Sequence, residues 1–479
     1  MLERFSFRYI DDDQTIMWNA AEEMAHGRFH EPFFYGQRYN TMLEGLLAVP
    51  LLWAGLGHER ALPLVTASLA LFPYFMLAAL AYRDRRPVQT ALILVVPIAL
   101  PVEFGLVSSM PRGFVTGVCL ASFSVVPLFP QLRMLLAPCA FLATLAWTAN
   151  PNAALLLAPV LVLLAFRFRG DRRAWLHVAV GAIPGLALRH LANTFYDARP
   201  EYVVHREWPL DFDLQRITLQ AVDLLLGQAT PFFWGHGGFL VLILLGLGAW
   251  LWTRRHREVA AFLLLSAVVL VAAIGVNKVN DGMPTVFYSW TRMFIGAPVL
   301  VVIALALVPE LLPRWSIGVV GLASGALLGL KVTRLPIVIE VQVHPAKEKN
   351  LHVMALQEVK TRCAKIHVVA MEEKADLLVL GWLPTKHMMN YGCPCLIDGF
   401  PETVQPDLDR RTWKLKELER VTIDRILLDG FDAVAFADRL NGRIQVIEAS
   451  SAPPLLLITG PSMGTGDLLD SLGLGMRNH

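Results

Sequence analysis

The chain has 479 residues, of which 55% are hydrophobic and only 17% charged, with a mean hydropathy of +0.49. That balance excludes an ordinary soluble domain, because so much apolar surface needs lipid to cover it. The net charge of +2 argues neither for nor against a polyanionic partner, and no nucleic acid is expected.

Met1 to Asp13 are polar and aromatic, with no apolar core of a signal peptide. The end of this stretch belongs to the segment Tyr9-Ile10-Asp11-Asp12-Asp13-Gln14. Over 15–26, Ile16, Met17, Ala20, Ala21, Met24 and Ala25 recur at helical spacing, which predicts an amphipathic helix lying in the membrane interface. One aspartate needs no explanation beyond capping that helix. Three in a row repel one another, so at least one pKa rises, and such clusters serve as bases or cation sites. If a divalent cation such as magnesium or manganese is held, Asp11, Asp12 and Asp13 are its ligands, since hard cations take carboxylate oxygen. The next stretch runs Phe29-His30-Glu31-Pro32-Phe33-Phe34-Tyr35-Gly36-Gln37-Arg38-Tyr39. His30, Glu31, Tyr35 and Tyr39 read as lining a substrate pocket, and Phe33 and Phe34 as an aromatic belt at the lipid surface. The apolar stretch 42–57 is too short for a span and reads as a juxtamembrane or re-entrant helix.

Ten apolar runs then suit membrane-spanning helices: 61–82, 88–106, 113–130, 132–148, 152–167, 174–191, 237–252, 259–276, 291–309 and 314–331. Several contain proline, which membrane helices tolerate when neighbours satisfy the freed carbonyl. Alternate turns hold Arg83, Arg85 and Arg86, then Arg133, then Arg167 to Arg173, then Arg254 to Arg257, then Arg314. The positive-inside rule puts these turns in the cytoplasm. Segment 1–60, the loops 192–236 and 277–290, and the tail 332–479 then face outward. The expected organisation is therefore an outer loop (1–60), a mainly α, polytopic bundle of about ten spans (61–331) and a small soluble α/β domain (332–479) on the periplasmic side. In the tail, short apolar runs at Ile366–Ala370, Leu377–Leu380 and Pro454–Ile458 alternate with charged stretches such as 409–420. Gly460 to Asp467 reads as a flexible turn, since it lacks the lysine of a phosphate loop. Cys119 and Cys139 read as inert helix residues. Cys363, Cys393 and Cys395 allow at most one bridge and make a poor zinc signature.

The acidic pair ahead of an interfacial helix, the Ala21-to-Met24 segment, the Gly36-to-Tyr39 element and the short apolar helix after them resemble the polytopic GT-C glycosyltransferases. The likeness is to the branch holding the aminoarabinose, protein-mannosyl and lipopolysaccharide-core sugar transferases. It extends to 58–86, where Arg60 precedes a helix ending in a basic turn, and more weakly to Tyr288–Pro298, with Arg292 and Pro298. The resemblance implies a polyprenyl-phosphate sugar as donor, with a glycan, lipid or protein as acceptor, at the outer face of a bacterial inner membrane. It assigns the catalytic role to Asp13, with Asp12 as neighbour; Asp11 is a further candidate for substrate binding. Arg112, Lys278 and Arg292 are candidates to hold the donor phosphate. Many members of the family need no metal. The family's helix before the acidic loop has no counterpart within the ten residues before Asp11, so a further span upstream is expected. Two rival readings are a transporter or flippase of a lipid-linked glycan, and a non-catalytic assembly protein. Few ionisable residues within the spans and no internal repeat weigh against transport.

Overall fold

The computed structural model describes residues 12–199, 202, 211–227, 238–276, 294–308, 312–338, 356–380, 402–404, 413, 422–431, 443–448, 455–464 and 467. Helices dominate. In chain order they are α1 (Asp12–Ala25), α2 (Leu43–Trp53), α3 (His58–Arg83), α4 (Pro87–Ala99), α5 (Val102–Val107), α6 (Phe114–Ser122), α7 (Leu136–Ala149) and α8 (Ala154–Phe168). They continue with α9 (Arg172–Asp197), α10 (Leu214–Gly227), α11 (Gly238–Thr253), α12 (Arg257–Ala272), α13 (Ala297–Leu307), α14 (Ser316–Val338) and α15 (Leu356–Glu372).

A helix lies in each of the ten segments read as spans. Among the described residues, five helical stretches are long and apolar enough to cross a membrane: His58–Arg83, Pro130–Ala149, Pro151–Phe168, Arg257–Gly275 and Ser316–Val338. The segment 88–106 is not one helix, because Leu100 and Pro101 leave the helical conformation between α4 and α5. Pro101 also has no N–H to offer the Pro97 carbonyl four residues earlier. Lys331 of α14 takes that place, its Nζ donating to the Pro97 oxygen at 3.0 Å. The freed carbonyl is thus satisfied by a neighbouring helix, as an apolar surrounding demands.

One large apolar cluster runs through the bundle, from Tyr74 and Leu77 of α3 through Val160 of α8 and Phe262 of α12 to Leu300 of α13. The outward faces of α9, α11 and α14 expose Leu176, Ile183, Leu242, Ile243 and Leu322, the side chains a lipid tail would cover. A second, separate cluster joins α1, the loop after it, α2 and the start of α3: Ile16, Met17, Trp18, Phe34, Tyr35, Ala48 and Leu62. The N-terminal segment therefore has a core of its own.

That core corrects two expectations. α1 does not lie half-exposed at a surface, because Gln14 and every residue from Ile16 to Ala21 are buried against protein. Phe33 and Phe34 form no belt, since both are buried, packed with Tyr35 and the end of α9. Aromatic rings at a loop read alike in sequence whether lipid or protein covers them.

The C-terminal region holds a five-stranded sheet in the order β2-β1-β3-β5-β4, with β1 (Leu377–Leu380), β2 (Glu402–Val404), β3 (Thr422–Asp429), β4 (Arg443–Glu448) and β5 (Leu455–Gly464). β1 pairs in parallel with β2 and β3, while β5 runs antiparallel to β3 and β4. All four residues of β1 are buried, as a central strand between parallel neighbours requires. Ile366 and Ala370 are buried on α15, so that apolar run is a helix face and not a strand. The turn expected from Gly460 is instead the second half of β5, where Met463 pairs with Ile423 and Gly464 with Thr422. Inside this region Arg362 of α15 donates to Asp429 at 2.6 Å, pinning the helix to the end of β3.

Candidate functional site

The site is built from α1 outward. α2 crosses α1 so closely that a Cβ on Gly45 would stand 3.3 Å from the Met17 carbonyl oxygen and 3.4 Å from the Ala21 nitrogen. A side chain there would force the two backbones apart by a few tenths of an ångström or more. Asp12 and Asp13 form the first turn of α1, but their side chains, like Asp11, Lys278 and Arg292 altogether, lie outside the described residues.

At the other end of α1, Glu22 and Glu23 organise a second set of charges. Glu22 Oε2 is 2.6 Å from His58 Nε2 at the start of α3, and Trp18 stacks over the same imidazole. Glu23 Oε2 accepts from Arg28 Nε at 2.8 Å and is 3.3 Å from His30 Nε2. A rise of 1.5 Å per residue sets Asp12 and Glu22 about 15 Å apart along the helix.

The loop after α1 then folds back over it. Asn40 adopts a left-handed conformation, with φ of 62°, which asparagine tolerates well, and its side chain accepts from Asn150 Nδ2 at 2.6 Å. Thr41 N donates to the Ala149 carbonyl at 3.0 Å. The loop is thereby tied to the end of α7. Within it, Glu31 is buried and accepts from the Tyr196 hydroxyl of α9 at 3.0 Å. Burial pushes its pKa from 4.5 up to about 8, against the hydrogen bonds from Tyr196 and the Gly36 backbone. Trp413 of the C-terminal region stacks on His30, at 3.4 Å between ring centroids and 5° between planes. Tyr35 meets the edge of the same indole at 6.4 Å.

Beside this loop, in the first turn of α2, Glu44 is fully buried. It accepts from Thr66 Oγ1 of α3 at 2.8 Å and from Thr116 Oγ1 of α6 at 3.2 Å. Burial raises its pKa to about 7, opposed by those hydroxyls and the backbone of Gly113. Gly113 sits at φ +79°, with space for a Cβ only 3.2 Å from the Thr41 oxygen. Arg112, one residue earlier, is 2% exposed. It stands inside the protein and not at an open interface.

Of the expected site residues, the structure gathers His30, Glu31 and Tyr35 into one loop packed on α1, with Tyr39 on the same loop and Arg112 next in chain to a partner of Glu44. Sequence reasoning missed Glu44, Tyr196, the Glu22–His58 pair and Trp413. Glu44 carried a usable signal, as the one acid inside the apolar stretch 42–57. Among the described residues, no group of three His, Cys, Asp or Glu side chains is arranged to hold a metal ion.

No family model matches the chain, and no curated protein matches it in sequence. Its fold, however, matches crystal structures of ArnT from Cupriavidus metallidurans, one in the apo state and one bound to undecaprenyl phosphate. Both give a TM-score of 0.50 over 93% of this chain, covering 92% and 93% of the ArnT chains, at 12% and 14% sequence identity. The chain has the GT-C fold of these ArnT structures.

Proposed function

We propose that this protein is a membrane glycosyltransferase that moves a sugar from a polyprenyl-phosphate-linked donor to an acceptor hydroxyl at the outer membrane face. The observation that carries the reading is the ArnT-like fold over nearly the whole of both chains, with one of those ArnT structures bound to undecaprenyl phosphate. The acidic first turn of α1, held on a dedicated core, supports it.

In the proposed reaction, Asp13, with Asp12 beside it, takes the proton of the acceptor hydroxyl. The acceptor oxygen bonds to the anomeric carbon from the face opposite the phosphate. The bond from that carbon to the phosphate oxygen breaks, and the polyprenyl phosphate leaves with the electron pair. Arg112, Lys278 and Arg292 are the residues proposed to hold the phosphate, where guanidinium forks suit its geometry. Asp11, His30, Glu31, Tyr35 and Tyr39 are proposed to line the substrates. Protonated near neutral pH, Glu31 can donate a hydrogen bond to a sugar or phosphate oxygen. A divalent cation on the aspartates is compatible with the chemistry and forms no step of it.

The test is sugar transfer by the full chain in reconstituted membranes supplied with undecaprenyl-phosphate-linked sugars. Asp13→Asn should lower transfer by about 100-fold or more, the usual share of a general base, and Asp12→Asn by less. Full transfer by both variants refutes the catalytic assignment. Sugar-independent movement of the lipid across proteoliposomes would instead establish a flippase.

A further inference from the structure

We infer that the end of the bundle opposite α1 carries a second binding site, for the phosphate-bearing headgroup of an anionic phospholipid. α3 starts against α1, where His58 meets Glu22, and 25 residues later ends at Arg83, about 38 Å away. There a cavity of about 760 Å³ opens between the α3–α4 turn, the chain around Pro130, the end of α8 and the α11–α12 turn. Arg83, Arg85, Arg86, Arg167, Arg255 and Arg257 line it. Among the described residues the carboxylates lining it are Asp84 and Glu258, and both are taken: Asp84 by Arg86 at 3.3 Å, Glu258 by Arg167 at 2.8 Å. Arg86 is further committed to the Ala306 and Val308 carbonyls. Four arginines, Arg83, Arg85, Arg255 and Arg257, therefore face one cavity with no ion pair among the described residues.

The backbone adds an independent sign. The two turns are built alike: Arg85 N donates to Tyr82 O and Arg86 N to Ala81 O, while Arg255 N donates to Trp252 O and His256 N to Leu251 O. In each, an arginine takes the left-handed position, φ 58° at Arg85 and 65° at Arg255. Helices commonly end on glycine there, because a Cβ is strained in that conformation. Basic sidedness alone asks for arginines near a helix end. It does not ask for them at the two strained positions, on a cavity where, among the described residues, Arg83, Arg85, Arg255 and Arg257 have no ion pair and Arg257 lies 6.0 Å from the Trp252 ring.

The ligand class follows from the lining. Guanidinium forks select phosphate. The cavity lining also includes the apolar Leu128, Phe129, Leu163 and Leu307. Tyr82, Phe166 and Trp252, all exposed, stand within three residues of the lining arginines, where acyl chains leaving the headgroup would lie. A purely aqueous anion would have no use for that flank. Basic pockets at the inner ends of membrane helices hold anionic headgroups for the same reason.

The test is thermal unfolding of the full chain in uncharged detergent, titrated with phosphatidylglycerol, phosphatidylcholine or inorganic phosphate. Phosphatidylglycerol should raise the midpoint saturably and phosphatidylcholine should not. Arg85→Gly with Arg255→Gly relieves the backbone strain while removing two charges. The lipid-free midpoint should hold or rise, and the half-saturating phosphatidylglycerol concentration should increase about 25-fold, at roughly fivefold per arginine. Arg83→Gln with Arg257→Gln should weaken the lipid response by a similar factor. An equal response to phosphatidylcholine, a response reproduced by inorganic phosphate at the same concentration, or unchanged lipid affinity in both double variants would each overturn the proposal.

Discussion

Tyr196, in the last turn of α9, donates its hydroxyl hydrogen to Glu31 across a sequence separation of 165 residues, and so ties the loop over α1 to the end of a bundle helix. The acid it meets has a pKa raised from 4.5 to about 8 by burial. Between those values the folded protein keeps a proton that the unfolded chain releases. Glu31 therefore supports the fold fully below about pH 4.5, and this contribution is lost as pH climbs to about 8. The thermal midpoint in detergent should fall over that window, and Glu31→Gln should reduce the fall. An identical slope in wild type and variant would show that Glu31 stays ionised. Tyr196→Phe removes a bond that favours the ionised form, so Glu31 should shift further up, at a cost of about 1–2 kcal/mol.

Glu44 makes a narrower prediction. Its partners, Thr66 and Thr116, come from two different helices, so the carboxyl stitches α2 to α3 and α6. Glu44→Gln keeps the shape and hydrogen-bonding capacity and should leave the midpoint within a few degrees at pH 6. Glu44→Ala leaves two buried hydroxyls without their acceptor and should cost about 2–4 kcal/mol. If alanine were as stable as glutamine in the same melt, the hydrogen bonds would carry no weight.

Trp413 links the C-terminal region to the same loop by stacking on His30. Aromatic stacking of this kind contributes about 0.5–1.5 kcal/mol beyond area burial. Trp413→Ala should uncover one face of the imidazole and speed its acylation by diethylpyrocarbonate, read by mass spectrometry of the His30 peptide. Exposed His26, on the far side of Glu22, serves as the internal reference and should react at an unchanged rate. Equal His30 labelling in both proteins would mean that the indole does not shield it.

Much of the bundle was legible because lipid imposes a one-dimensional rule: long apolar runs, separated by turns whose arginines alternate. The site was legible only where residues are neighbours in sequence. His30, Glu31 and Tyr35 could be picked from one loop, whereas Tyr196 as the partner of Glu31 is fixed by the packing of α9 and leaves no local trace. Phe33 and Phe34 illustrate a second limit. Composition shows that a ring is hidden from water without showing whether lipid or protein hides it. Gly460 to Gly464 illustrates a third, since strand pairing with Thr422 and Ile423 overrides a sequence rich in turn formers.

The crossing at Gly45 turns packing into a test of function. A valine there must push Met17 and Ala21 away, since the nearest backbone atoms already stand 3.3–3.4 Å from the Cβ position. The strain should cost about 1–3 kcal/mol. Because α1 begins at Asp12, the displacement also moves the proposed catalytic turn, and misplacement by about 1 Å can lower a rate by around 100-fold. Gly45→Val should therefore lose sugar transfer at temperatures where the protein remains folded. Gly246→Val on α11, where nothing lies within 4 Å of the Cβ position, supplies the matched control and should retain it. Transfer by Gly45→Val equal to that of the control would separate α1 from the chemistry, whatever the fold resembles.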